Sequence, residues 1–175
     1  MFSEKRKELW EILIFLVKLS ALSIFIYIGG RYLDFTSVQN YLTHHLYHFF
    51  RTMGYTIERT GFNLTLGNFT FSIIKDCVGW KGILFFSALV ISTSHPLKWK
   101  LNGLIVNLPL IFATNVSRIV FLALFTYNFG PSAYELLHGI LWQASMIIAV
   151  LMLWTVWLRN KGYSLAPLTV ERNVS

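Results

Sequence analysis

Residues 9–28 read as nearly unbroken apolar sequence, and three more such runs follow at about 79–94, 101–128 and 138–158. A helix of about 20 apolar residues covers the roughly 30 Å of hydrocarbon in a bilayer. Within lipid every backbone N–H and C=O must find its partner inside the segment, so runs like these fold as helices packed side by side. Of the 175 residues, 55% are hydrophobic and only 13% charged, too much apolar surface for a soluble domain to hide. The expectation is a mainly α protein, an integral membrane bundle of about four transmembrane helices. No Pro/Gly/Ser-rich linker divides it, so residues 1–175 form a single domain. The first run lacks a small-residue cleavage site and reads as a retained anchor.

The net charge of +7 does not indicate nucleic acid. The basic residues bracket the apolar runs and form no stripe with interleaved aromatics, so no nucleic-acid partner is expected. Four spans put both termini on one side. Lys5, Arg6, Lys7, Lys98, Lys100, Arg159 and Lys161 fall on that side, close to span ends. The positive-inside rule makes it the cytoplasm and the protein a multi-pass plasma-membrane protein. Arg31, Arg51, Arg59, Lys75 and Lys81 fall outside, in a longer segment that also holds Asp34, Glu58 and Asp76. Lys18 interrupts the first span and would face a polar partner in the bundle.

The outer segment, about 29–78, changes period twice. Thr36 and Gln39 have capping-box spacing. Val38, Tyr41, Leu42, Leu46, Phe49 and Met53 then recur at helical spacing, with His44, His45, His48 and Arg51 among them. This helix is too polar to span and is expected to lie along the interface. Its histidines read as solvated imidazoles, because no carboxylate or cysteine nearby completes a metal site. From Tyr55 to Ile73 the alternation has period two, broken at Gly61 and at Gly67-Asn68, which predicts a small antiparallel β meander on the outer face.

The meander leads into Cys77, the only cysteine, which therefore forms no internal disulfide. Free cysteines are commonly inert and buried. Cys77 nevertheless sits at the expected start of a helix, where the dipole favours a thiolate. Asp76 would cap that helix, Gly79 would let another backbone come close, and Lys75 and Lys81 add positive potential. Arg118 lies within the third apolar run, where an arginine costs about 2.5 kcal/mol or more on insertion scales and so marks a functional candidate. Its alternatives are a clamp on carbonyls and a stabiliser of a thiolate or oxyanion. Asn115, one turn earlier, could orient it. His138 is expected to open the fourth span, as a solvated interfacial imidazole or as a general base and acid. Glu135 and Tyr134 could orient its ring. The topology brings Cys77, Arg118 and His138 to one outer face.

Three stretches carry a family resemblance: Asp76-Cys77-Val78-Gly79-Trp80-Lys81, Asn115-Val116-Ser117-Arg118, and His138 opening the last helix. In these residues and their order the chain resembles the exosortase/archaeosortase family of membrane cysteine transpeptidases, over roughly residues 70–158. The resemblance implies Cys77 as nucleophile, Arg118 as charge stabiliser and His138 as general acid/base. It also implies a secreted protein substrate with a C-terminal tripartite tail: a short motif, a transmembrane helix and a basic cluster. A membrane lipid amine, or water, would resolve the thioester, and no metal or cofactor is required. Two other readings stay open: a transport or proton-relay subunit built around an intramembrane Arg118, and a non-catalytic assembly factor.

Overall fold

The structure is a computed structural model describing residues 2–159, with the side chains of residues 2–5, 8 and 131–143 outside that description. It is mainly helical with one small sheet. The order is α1 (Phe2–Tyr32), α2 (Thr36–Thr52), β1 (Ile57–Thr60), β2 (Asn63–Leu66), β3 (Phe69–Ser72), a 3-10 turn (Lys75–Val78), α3 (Trp80–Ser92), α4 (Leu97–Phe129) and α5 (Pro131–Arg159).

Two helices, Leu9–Tyr32 of α1 and Leu97–Phe129, are long and apolar enough to cross a membrane. α1 leaves Leu13, Val17, Ile24, Phe25 and Ile28 uncovered, the exposure a bilayer would accommodate. Its Lys18 is exposed too, not turned into the bundle as the sequence suggested. α3 and Ala144–Arg159 are shorter apolar helices. At 1.5 Å per residue, the 13 residues of α3 reach only about 20 Å. α5 begins at Pro131, directly after Gly130, because proline suits the first helical turn. His138 therefore lies two turns inside the helix instead of opening it.

The segment between α1 and α3 folds around its own small core. The sheet is antiparallel in the order β1-β2-β3, with Ile57 opposite Leu66 and Leu64 opposite Phe71. Ile57, Leu64 and Leu66 point inward and are buried. Gly67 turns the chain in the left-handed region, φ +59°, which L side chains rarely adopt. Tyr127 of α4 lies 3.0 Å from where a Cβ at Gly67 would sit, so the end of α4 props the hairpin. α2 contributes Leu42, Leu46 and Phe50, four residues apart, to this core. Its apolar face is thus spent on the sheet, while Tyr41 and Met53 of the same periodic set stay exposed.

The capping box does not form. Asp34 Oδ1 takes the Thr36 N–H at 2.9 Å, and Gln39 Nε2 instead donates to the Ile73 carbonyl at 2.9 Å. A glutamine free of the cap thereby ties α2 to the strand that runs into the 3-10 turn. A second core joins Phe86, Leu89 and Val90 of α3 to Ile111 of α4 and Met146, Val150 and Trp157 of α5. Cys77 belongs to the first core, alongside Ile119 and Ala123 of α4.

Candidate active site

Cys77 does not head a long helix. It sits in the 3-10 turn, and Gly79, at φ +81°, separates that turn from α3. The thiol is nearly buried, 7% exposed, and points toward the Ser72 carbonyl at 4.0 Å. Burial pushes its pKa above the ordinary thiol value. A backbone hydrogen bond at Ile74 and the Arg118 charge pull it down again, while Asp76 adds to the rise. The helix-dipole argument for a ready thiolate therefore gives way to a mostly neutral thiol.

The flanking residues act differently from the sequence expectation. Asp76 does not cap α3; it accepts from Lys81 Nζ at 2.8 Å and from Trp80 Nε1 at 3.4 Å. Lys75 Nζ donates to the carbonyls of Arg31 (3.1 Å) and Leu33 (2.8 Å), closing the C-terminal end of α1. Both lysines are thus engaged away from the thiol. Gly79 does admit a close neighbour, but the neighbour is the Asn115 side chain rather than a backbone. A Cβ at Gly79 would stand 2.9 Å from Asn115 Cγ.

Asn115 is the centre of the arrangement. It is fully buried on α4. Its Nδ2 donates to the Cys77 carbonyl at 2.7 Å, and its Oδ1 accepts from Arg118 Nη2 at 3.1 Å. One amide thus fixes the backbone of the cysteine and the guanidinium three residues along its own helix. Arg118 is close enough for its charge to act on the thiol. Such a site offers a soft nucleophile beside a permanent cation, in a water-poor setting that strengthens their interaction.

His138, Glu135 and Tyr134 lie on α5 within residues 131–143, outside the described side chains. The three histidines of α2 form a separate exposed cluster. The rings of His44 and His48 are 4.4 Å apart, and Arg59 reaches both His44 Nδ1 and Asn40 Oδ1. Among the described residues no group of side chains is arranged to hold a metal ion.

Trp80 stood in the Asp76–Lys81 stretch of the sequence with no role of its own. It is buried against α1, with ring atoms 2.3 Å from where a Cβ at Gly30 would sit, and it stacks on Phe35 at 5.8 Å and Tyr27 at 6.2 Å. It fixes the start of α3 on the end of α1 and so positions the 3-10 turn. The Gly29-Gly30 pair closing the first apolar run was the available signal.

The chain matches the family model described as transmembrane exosortase (Exosortase_EpsH) over residues 7–155, and it belongs to that family. Membership, with the two apolar helices, makes it a membrane protein of a family tied to the processing of sorting signals. No curated protein and no solved structure was found to match it.

Proposed function

We propose that this chain is a membrane-embedded cysteine transpeptidase that cleaves the C-terminal sorting signal of secreted surface proteins. The observation that carries the reading is the Asn115 bridge, which joins the Cys77 carbonyl to the Arg118 guanidinium. Membership in a family tied to sorting signals supports the reading; the substrate proposed with it is a tripartite tail whose own transmembrane helix would lie in the same bilayer.

In this reading the bundle has four spans, both termini are cytoplasmic, and α2 and the sheet cap the outer surface. Because the resting thiol is mostly neutral, it needs a base at the moment of attack. His138 takes the Sγ proton as sulfur bonds to the scissile carbonyl carbon, and Arg118 stabilises the oxyanion. Collapse breaks the C–N bond, the proton passes to the leaving amine, and a thioester remains on Cys77. An acceptor amine, such as that of a lipid headgroup, or water then attacks the thioester and regenerates the thiol.

Helix geometry supports the pairing. Arg118 precedes Phe129, the last residue of α4, by 11 residues, and His138 follows Pro131, the first of α5, by seven. At 1.5 Å per residue they stand about 16 and 10 Å from the intervening turn, at depths roughly 6 Å apart.

The test is processing of a tail-bearing substrate in cells producing wild type, Cys77→Ala, Arg118→Gln or His138→Ala, with enzyme abundance followed by blot. Accumulation of uncleaved precursor in all three variants at normal abundance is expected. Normal processing by Cys77→Ala would leave Arg118 as the centre of a non-catalytic membrane function.

A further inference from the structure

β3 is an edge strand, and the register shows which of its backbone groups are left over. The Ile73 N–H donates to the Phe62 carbonyl at 2.9 Å, and Leu64 and Leu66 of β2 stand opposite Phe71 and Phe69. In an antiparallel ladder every second pair exchanges the bonds. Phe69, Phe71 and Ile73 therefore bond toward β2, while Thr70 and Ser72 turn their N–H and C=O groups away from it. Both residues are exposed, and the Thr70 N–H and carbonyl and the Ser72 N–H have no hydrogen-bond partner among the described residues. The Ser72 carbonyl accepts the Ile74 N–H at 3.1 Å and has Cys77 Sγ 4.0 Å in front of it. The open edge and the thiol thus lie on the same side of β3. Exposed edges recruit further strands, and proteins commonly guard them with charge, proline or a bulge. β1, the other edge, carries Glu58 and Arg59, and Arg59 reaches across to His44 and Asn40 of α2. β3, with the sequence Phe69-Thr70-Phe71-Ser72, carries neither charge nor proline.

We propose that this edge takes an extended peptide segment as a fourth strand, and that the segment is the stretch of substrate around its scissile bond. The proposal rests on the reading of Cys77 as nucleophile and names how its substrate is held. Neighbouring strands lie about 4.8 Å apart, so a backbone bonded at Thr70 and Ser72 comes within contact of Sγ. Main-chain bonds to a sheet edge supply affinity for any extended peptide. They also fix the reacting carbonyl against a nearly buried thiol, which has little freedom to seek it. Cross-strand neighbours set the side chains. Phe69 and Phe71, their rings stacked at 5.7 Å, line one face of the edge, and Thr70 and Ser72 the other. The segment that fits alternates apolar with small polar residues.

The test uses the full chain carrying Cys77→Ala in nanodiscs, so that binding is read without turnover. The probe is a synthetic copy of a tripartite tail encoded in the same genome, and amide hydrogen exchange is followed residue by residue. On adding the peptide, exchange at Thr70 and Ser72 should slow about tenfold, with Phe71, already bonded to β2, and Arg59, on the other edge, unchanged. Thr70→Pro removes an outward N–H where no ladder bond is lost and should weaken binding about tenfold. Thr70→Ala keeps that N–H and should bind as before. If Thr70→Pro does not fold, single N-methylation along the peptide decides, with affinity expected to fall at alternate positions. No binding, binding without protection of Thr70 and Ser72, or affinity indifferent to Thr70→Pro and to every N-methyl group would each overturn the proposal. So would protection that needs no peptide and grows with protein concentration, which would mean two copies paired through β3. The catalytic reading is scored apart. Undiminished processing by Thr70→Pro with Cys77 in place would sink the docking edge alone, whereas processing by Cys77→Ala alongside protected Thr70 and Ser72 would sink the nucleophile alone.

Discussion

At the scale of single residues, Cys77 is tied through its carbonyl to Asn115, and its thiol answers to burial and to the charge of Arg118. The thiol is held above its ordinary pKa by burial, and the Arg118 charge opposes that shift. Only the thiolate is alkylated, so at neutral pH the folded protein should react with iodoacetamide more slowly than the unfolded chain, with the midpoint displaced upward. Arg118→Gln removes the opposing charge and should slow alkylation further at every pH below that midpoint. Faster alkylation in Arg118→Gln would show that the guanidinium does not act on the thiol. Gly79→Ala meets two obstacles, a positive φ and the Asn115 side chain. The left-handed backbone alone costs roughly 1–2 kcal/mol. A lowered melting temperature with reduced processing is expected, and unchanged values of both would remove Gly79 from the account. Asn115→Ala leaves the Cys77 carbonyl without its donor, a loss of about 1–3 kcal/mol measurable by denaturant titration. The residue types of this site were legible in the chain; their bonds were not. Asn115 and Cys77 are 38 positions apart, and nothing in a linear pattern says that an amide on one helix will reach the carbonyl of a residue in a turn. Asp76 was misread for the opposite reason: its position suggested a cap, but Lys81 five residues on offers a full charge.

Among the elements, the segment between α1 and α3 was the most readable part. Period-two alternation and the glycines at 61 and 67 mark the three strands because the face turned to α2 must be apolar and the turns need left-handed backbone. The packing of α1 on α3 was less readable, since lipid and protein neighbours select the same apolar side chains. Gly30 is where that packing becomes specific. A larger side chain there would collide with Trp80, and overpacking of this kind costs typically about 1–3 kcal/mol. Gly30→Val should therefore lower the melting temperature, and by shifting Trp80 should raise the accessibility of Cys77 to small thiol reagents. A variant as stable and as unreactive as wild type would mean that α1 does not brace the 3-10 turn.

For the whole molecule, the central question is which side of the membrane each segment occupies. The proposed topology, four spans with cytoplasmic termini, would place residues 29–78 outside. Alkaline phosphatase fused after Gly61 should be active, and green fluorescent protein fused after Ser175 should fluoresce in the cytoplasm. The reverse pattern would put Cys77 on the side where no secreted tail arrives. The short α3 is what made the span count hard to read, since 13 apolar residues suit a buried core helix as well as a partial crossing. The claim on which everything rests is that Cys77 carries the substrate. The purified protein mixed with a tail-bearing peptide, without acceptor amine and quenched in acid, should yield a peptide from the 3-10 turn bearing the substrate fragment on Cys77. That mass should be released by hydroxylamine and absent in Cys77→Ala. Cleavage of the peptide with no such adduct, in wild type and Cys77→Ala alike, would contradict the account.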